Sequence, residues 1–215
     1  LTIAQAICEA LAEELARDPA VFVMGEDVGR AGGVFNVTAG LQDEFGPHRL
    51  MDTPISEAGI AGIGVGAALT GMRPVVEIMF SDFLTLATDQ IVNQAAKMHY
   101  MTGGQAMVPL VIRTGMGAGR GAAAQHSQSF QAWMSHIPGL KVAMPSTPYD
   151  AKGLMYSALT GTDPVIFFES QRLYGLAEEF VEGGVHAGHY EVPFGEPAIR
   201  KKGRDLTIIT VLDTQ

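Results

Sequence analysis

The sequence predicts an α/β fold, a mostly parallel central sheet with helices on both faces. Short apolar runs such as VFVMG (21–25), RPVVEIMF (73–80) and PVIFFE (164–169) read as strands buried on both sides. Helical segments lie between them, and strands alternating with helices at this spacing build a parallel sheet. Composition agrees: 47% of the 215 residues are hydrophobic and 17% charged, enough for a large core and unlike a disordered chain.

The elements follow in order. Thr2 and Gln5 form a capping-box pattern, with Ile7, Leu11 and Leu15 at helical spacing behind it. Asp18-Pro19 stops that helix, and 21–25 is a strand. EDVGRAGGVFNVT reads as loop. Residues 57–70 are predicted helical despite Gly59, Gly62, Gly64 and Gly66, each of which costs about 1 kcal/mol relative to Ala. Strand 73–80 precedes a helix over 83–98 with Leu84, Ile91, Ala95 and Met98 on one side. Residues 108–114 and 140–145 are further strands, 149–159 a helix and 164–169 a strand. The loop 115–128 is long and rich in small residues, and such loops tend to be functional or disordered. From about 171 the rhythm changes. Residues 1–190 are expected to form one domain, 191–205 a linker and 206–215 the first strand of a second, truncated domain.

Charge and composition exclude several roles. The net charge is −9 and no Lys/Arg run exceeds Lys201-Lys202, so nucleic acid would be repelled. One cysteine, Cys8, rules out an internal disulfide framework and a cysteine-rich zinc site, and favours a reducing compartment. The apolar runs are too short or glycine-broken to span a bilayer. The glycines suggest a nucleotide-binding domain, but no G-x-G-x-x-G follows a strand with an acid about 20 residues on.

The central motif is DTPISEAGIAGIGVGAALTG (52–71), a lone acid ahead of a glycine run. Gly62 and Gly66 are four apart and share one helix face. Small residues on one face let another backbone approach, so this helix is expected at a subunit interface. Glu57 stands at its start. A plain structural reading is that Glu57 complements the helix N-terminus.

The pattern Glu-x4-Gly-apolar-x-x-Gly resembles the signature of the pyrimidine-binding domain of thiamine-diphosphate enzymes. More closely, GED (25–27), DTPISE (52–57), GAA (66–68), RPVVEIMF (73–80), DQIVNQAAK (89–97), AAQHSQ (123–128), HIPGLKV (136–142) and DAKGL (150–154) resemble the β subunit of 2-oxo acid dehydrogenase decarboxylating components. Pyruvate, branched-chain 2-oxo acid and acetoin dehydrogenases make up that family. The likeness runs from residue 2 to about 212.

The resemblance implies a function and a site. Glu57 would hydrogen-bond the aminopyrimidine of thiamine diphosphate and promote the tautomer that activates the thiazolium carbon. A dry surround would favour its protonated form. His126, in AAQHSQ, would lie near the reactive carbon, as a proton donor or in steering the acyl group to a lipoyl acceptor. Its plain reading is a loop residue, one of six histidines. Phe83 would present its ring to the aminopyrimidine, against a plain role in core packing. Glu26, Ile55 and Met79 would line the same pocket. The sequence departs from the pattern it resembles at Met79, where some family members carry Gln, and at Ala67, where the wider signature often has Gln.

A potassium ion on backbone carbonyls is also implied, at Leu110, Ala158, Leu159, Gly161 and Asp163, against a plain helix end capped by Gly161. The Gly-Asp-Gly motif that holds Mg²⁺ and diphosphate is absent from the sequence. In this family it belongs to the α subunit. The expected assembly is two α and two β chains, so a second β subunit is also a partner. The active sites would lie at α–β contacts, and a lipoyl acyltransferase core would receive the acyl group from a 2-oxo acid. Acetoin cleavage is the nearest enzymatic alternative, and a non-catalytic scaffold for an α subunit the alternative from another class. The expected location is the cytoplasm of a bacterium or the mitochondrial matrix of a eukaryote.

Overall fold

In the computed structural model, residues 1–175, 177, 185–199 and 201–210 are described. Six strands form one sheet: β1 (Val21–Gly25), β2 (Leu50–Asp52), β3 (Arg73–Phe80), β4 (Val111–Met116), β5 (Lys141–Ala143) and β6 (Val165–Ser170). Their order is β2-β1-β3-β4-β6-β5 and every pairing is parallel. Six α-helices accompany them: α1 (Ile3–Arg17), α2 (Leu41–Phe45), α3 (Glu57–Leu69), α4 (Ala96–Met101), α5 (Gln131–Ser135) and α6 (Pro148–Thr160).

Alternate strand residues enter two separate cores, as the period of two requires. Val21 and Val23 of β1, with Val165 and Phe167 of β6, pack under α1 and α6. Phe22, Met24, Ile166 and Phe168 pack on the other face under α3. The expected two-faced α/β architecture is therefore the observed one. The α1 capping box forms as expected: the Gln5 N–H donates to Thr2 Oγ1 at 3.2 Å, and the Thr2 N–H to Gln5 Oε1 at 2.9 Å.

The glycines of α3 serve different ends. A methyl at Gly64 would lie 2.8 Å from Val76 Cγ1 and 3.0 Å from Leu110 Cδ1, so Gly64 lets the helix sit down on the sheet. Gly66 faces open space and Gly62 has Gln90 as its neighbour. Ile63, beside them, is 59% exposed.

The segment predicted as a helix over 83–98 differs. Residues Ser81–Thr85 wind as a 3₁₀-helix, Gln90–Ala95 as a π-helix, and α4 follows. Side chains compete for the backbone here. The Thr85 hydroxyl donates to the Asp82 carbonyl at 2.8 Å, and that of Thr88 to the Leu84 and Thr85 carbonyls at 3.0 and 2.9 Å. Strands predicted over 108–114 and 140–145 are shorter or shifted, because Pro109 and Pro145 cannot donate to a ladder. Within 206–212, residues 206–210 join no strand and Leu206, Ile208 and Ile209 are exposed; 211–215 lie outside the described residues. The expected boundary at 190/191 falls inside a docked segment. Tyr190 and Val192 both cover Gly153 of α6, and the Val192 N–H donates to the Gly153 carbonyl at 3.1 Å.

Candidate active site at the carboxyl edge of the sheet

In open parallel sheets, ligands bind outside the carboxyl ends of the strands, at the point where the strand order reverses. Here β1 leads to β2 on one side, and β2 then leads across to β3 on the other, so that point lies between β1 and β3. Glu26 directly follows β1, Ile55 and Glu57 follow β2, Phe83 follows β3, and the loop bearing His126 follows β4. Met79 is the penultimate residue of β3. The six residues expected at the site thus come from four neighbouring strand ends, and Phe80 stands beside them.

Glu57 is the first residue of α3 and is 7% exposed. Ser56 caps the helix, accepting from the Gly59 N–H at 3.3 Å. Ahead of it the Thr53 N–H donates to the Gly25 carbonyl at 2.9 Å, which ties the approach to α3 to the end of β1. Glu26 is therefore brought near Glu57. Partial burial, the Glu57 charge and Asp27 together push the Glu26 carboxyl up from its ordinary value. Ile55, just before the cap, is 80% exposed and free to meet another surface.

A β-bulge at Met79 shifts the register between β3 and β4, since Ile78 pairs with Thr114 and Phe80 with Gly115. Bulges re-aim side chains beside active sites. Phe80 consequently meets Phe35, Phe83 and His126, with ring centroids 5.8, 6.0 and 4.7 Å away and edge-to-face. Phe83 itself lies 5.3 Å from the His126 ring. The structure thus joins His126 and Phe83, and adds Phe80, which the sequence reading passed over as the end of a core strand. Two buried oxygens near this edge, Thr53 Oγ1 and Asp82 Oδ2, have no hydrogen-bond partner, and such groups suit a polar ligand.

Beneath the edge lies a buried ionic network that sequence reasoning also missed. Arg113 of β4 donates to Glu77 of β3 at 2.8 Å and to both oxygens of Glu169 of β6 at 2.7 and 2.8 Å. Tyr174 donates to Glu169 at 2.7 Å. Burial pushes Glu77 up, and Glu169 adds to this, because one guanidinium is shared by two carboxylates. Burial alone would lower Arg113; Glu169 and Glu77 outweigh it and keep the guanidinium charged. The signal was present: three adjacent apolar strands each carry one charged residue in their interior, Glu77, Arg113 and Glu169, and their signs complement.

Three of the five carbonyls expected to hold potassium, those of Leu110, Leu159 and Gly161, already accept hydrogen bonds. Arg73 Nη2 donates to the Leu159 carbonyl and, at 2.6 Å, to that of Gly161, while Nε reaches Leu159 at 2.9 Å. The Leu110 carbonyl accepts from the Val165 N–H at 2.9 Å. Asp163 pairs with Lys141 at 2.9 Å, and Ala158 is buried nearby. A potassium ion there would share acceptors with a like charge, so these residues fit it poorly. Among the described residues no group of three or more His, Cys, Asp or Glu could hold a metal ion. No helix among them is long and apolar enough to cross a membrane.

Comparison with known proteins places these features in context. Residues 1–176 match the family described as transketolase, pyrimidine binding domain. The chain is 49% identical over 205 residues to the 2-oxoisovalerate dehydrogenase subunit beta of Bacillus subtilis (strain 168), covering 95% of this chain and 62% of that protein. It is 51% identical over 220 residues to the acetoin:2,6-dichlorophenolindophenol oxidoreductase subunit beta of Cupriavidus necator, covering 98% and 63%. It is 47% identical over 209 residues to the mitochondrial pyruvate dehydrogenase E1 component subunit beta-2 of Oryza sativa subsp. japonica, covering 97% and 55%. The chain thus spans less than two thirds of each relative's length. A solved structure described as split gene transketolase, inactive beta4 tetramer, superposes with a TM-score of 0.74 at 19% identity, covering 95% of this chain and 60% of that one, which shows the fold.

Proposed function

The chain belongs to the transketolase pyrimidine-binding-domain family, and from that premise we propose that it acts as the β subunit of a thiamine-diphosphate-dependent 2-oxo acid dehydrogenase. The reaction is oxidative decarboxylation of pyruvate or a branched-chain 2-oxo acid, with acyl transfer to a lipoyl group on an acyltransferase core. The observation that carries this reading is Glu57, buried at the start of α3 beside Glu26, at the switch point of the sheet.

The residues present fit the pyrimidine half of the cofactor. When bound, thiamine diphosphate supplies the nucleophilic carbon for decarboxylation. Glu57 would hydrogen-bond the pyrimidine ring nitrogen and exchange a proton with it, and its place at the start of α3 orients that carboxyl. Phe83 offers a flat apolar surface, and Ile55, Met79 and Glu26 wall the pocket. His126 donates or receives a proton at the substrate side. Among the described residues no group of three or more His, Cys, Asp or Glu could hold the Mg²⁺ of the phosphate half. An α subunit would supply it with Mg²⁺, in an assembly of two α and two β chains. The open face of α3 at Gly62, Ile63 and Gly66 is suited to close subunit contact. Potassium is left out of this reading, since Arg73 already serves the carbonyls at the end of α6. The reading places the protein in a bacterial cytoplasm or a mitochondrial matrix.

The test is Glu57→Gln in the complex of the full-length chain with its α subunit. Exchange of the thiazolium C2 proton for deuterium, followed by NMR after acid quench, should slow by about two orders of magnitude, within the range of general acid–base help. Wild-type exchange in an intact, cofactor-loaded complex would instead support the scaffold reading. The similarity to the Cupriavidus necator protein favours acetoin as a second substrate class. Turnover of acetoin, pyruvate and 3-methyl-2-oxobutanoate by the same complex decides between them.

A further inference from the structure

The loop 117–128 is expected from its glycines to move freely, yet it is fastened at two points. Gln171, the residue after β6, is 3% exposed and turns its polar groups onto this loop. Its Nε2 donates to the Gly117 carbonyl at 3.0 Å and to the His126 carbonyl at 2.9 Å. Its backbone N–H donates to the Met116 carbonyl at 3.0 Å, and its carbonyl accepts from Arg120 Nε at 3.3 Å. One side chain therefore joins the first residue of the loop to the candidate catalytic histidine nine residues on.

The second fastening lies two residues beyond His126. Asp82 Oδ1 accepts from Gln128 Nε2 at 2.7 Å and from the Gln128 N–H at 3.3 Å. Ser81 Oγ donates to the Gln128 carbonyl at 2.8 Å. Between the two anchors Ala123 adopts a positive φ of 63°, which a non-glycine residue holds only when its surroundings dictate it. The imidazole then has one place to go, the corner formed by Phe80 and Phe83.

We propose that Gln171 is a positioning residue: its side-chain amide closes the 117–128 loop and so fixes where the His126 imidazole stands. The inference rests on the functional reading given above for His126, and deepens it. A buried amide that bridges two carbonyls leaves both unpaired when it is removed, so the loop opens rather than adjusts. Displacing a reacting group by about 1 Å can cost roughly 100-fold in rate.

The experiment compares Gln171→Leu, His126→Ala and the double variant in the full-length chain complexed with its α subunit. The substrate is whichever of pyruvate and 3-methyl-2-oxobutanoate the wild-type complex turns over faster. Gln171→Leu should slow acylation of a lipoyl domain by roughly 10- to 100-fold. The double variant should be no slower than His126→Ala, because the amide acts through the histidine. Additive losses would overturn the proposal.

Two readouts are independent of activity. Arg120 is the sole Lys or Arg between Arg113 and Lys141, so trypsin reports on this loop. Cleavage after Arg120 should rise by about tenfold in Gln171→Leu as the closed population falls. The NMR signals of the His126 ring should lose the shift imposed by Phe80 and Phe83. Unchanged cleavage and an unchanged ring signal would overturn the proposal even if activity fell. Should Gln171→Leu fail to fold, the exposed Gln128→Met loosens the other anchor and should move the cleavage rate and ring signal in the same direction; no movement in either would overturn the proposal. If the wild-type complex acylates nothing, the functional reading fails, while the cleavage and ring signals still decide whether Gln171 sets the histidine.

Discussion

Arg113 and Glu169 meet as a two-pronged pair across neighbouring strands, Nε to Oε1 at 2.7 Å and Nη2 to Oε2 at 2.8 Å, with both side chains sealed from water. Such geometry is among the stronger polar contacts a protein makes. Removing one member of a buried pair strands the other.

The first prediction follows from that pair. Arg113→Met should destabilise the fold by about 3–5 kcal/mol, since Glu77 and Glu169 would both lose their cation. Tyr174→Phe removes a single hydrogen bond to Glu169 and should cost about 1–3 kcal/mol. Urea denaturation checks both, and equal losses would mean that Arg113 matters for its bulk alone.

The second prediction concerns Glu26. Its carboxyl is raised above the ordinary 4.5 in the folded protein by burial, Glu57 and Asp27. The folded state therefore holds this proton where the unfolded state has released it. The resulting stability is present below that ordinary value and declines as pH rises through the folded value. Glu26→Gln should remove that part of the decline. Glu57→Gln should bring the Glu26 titration back down, read from its carboxyl carbon by NMR.

The glycine helix supplies a third prediction. Gly64→Ala should cost about 1–3 kcal/mol, because the new methyl meets Val76 and Leu110. Gly66→Ala meets nothing within 4 Å and should gain up to about 1 kcal/mol through helix propensity. Gly66→Leu should leave stability near wild type and block association with an α subunit, as read by size-exclusion chromatography.

Arg73 supplies the fourth. Arg73→Met should destabilise the protein by about 1.5–3 kcal/mol through loss of charged hydrogen bonds to the end of α6. Wild-type protein should melt at the same temperature in potassium chloride and lithium chloride of equal ionic strength. A higher melting point in potassium alone would mean that the ion shares these carbonyls with the guanidinium.

The sequence made some of this legible and hid the rest for physical reasons. Strands β1 and β3 stand where their apolar runs place them, because both faces are buried and each run is bounded by turn residues. The helix expected over 83–98 is not regular, because hydroxyls of Thr85 and Thr88 take carbonyls from the backbone. Helix α5, with five residues, is too short for its periodicity to register. Glu57 stands out by its glycines, but by spacing alone a helix-end charge is the better reading of it. His126 and Phe83 were joined through family resemblance; their 5.3 Å approach depends on a bulge, and a period-two reading does not register one extra residue. Gln171 escaped notice because its partner His126 lies 45 residues away and local pattern carries no trace of the bond.

The π-helical turn at Gln90–Ala95 has a bearing on how this chain tolerates insertion and deletion. A π-turn holds one residue more per hydrogen-bonded ring than an α-turn. It begins at Gln90, the residue that faces Gly62 across the helix pair. The stretch therefore stores a spare residue against α3. Deleting one residue from 90–95 can be absorbed by rewinding to α geometry, with the downstream chain still in register. Deleting one from β3 has no such outlet, because it would exchange the two buried faces of the strand from that point on. Length variation in this domain is expected to collect at the π-turn and to spare the strands beside it.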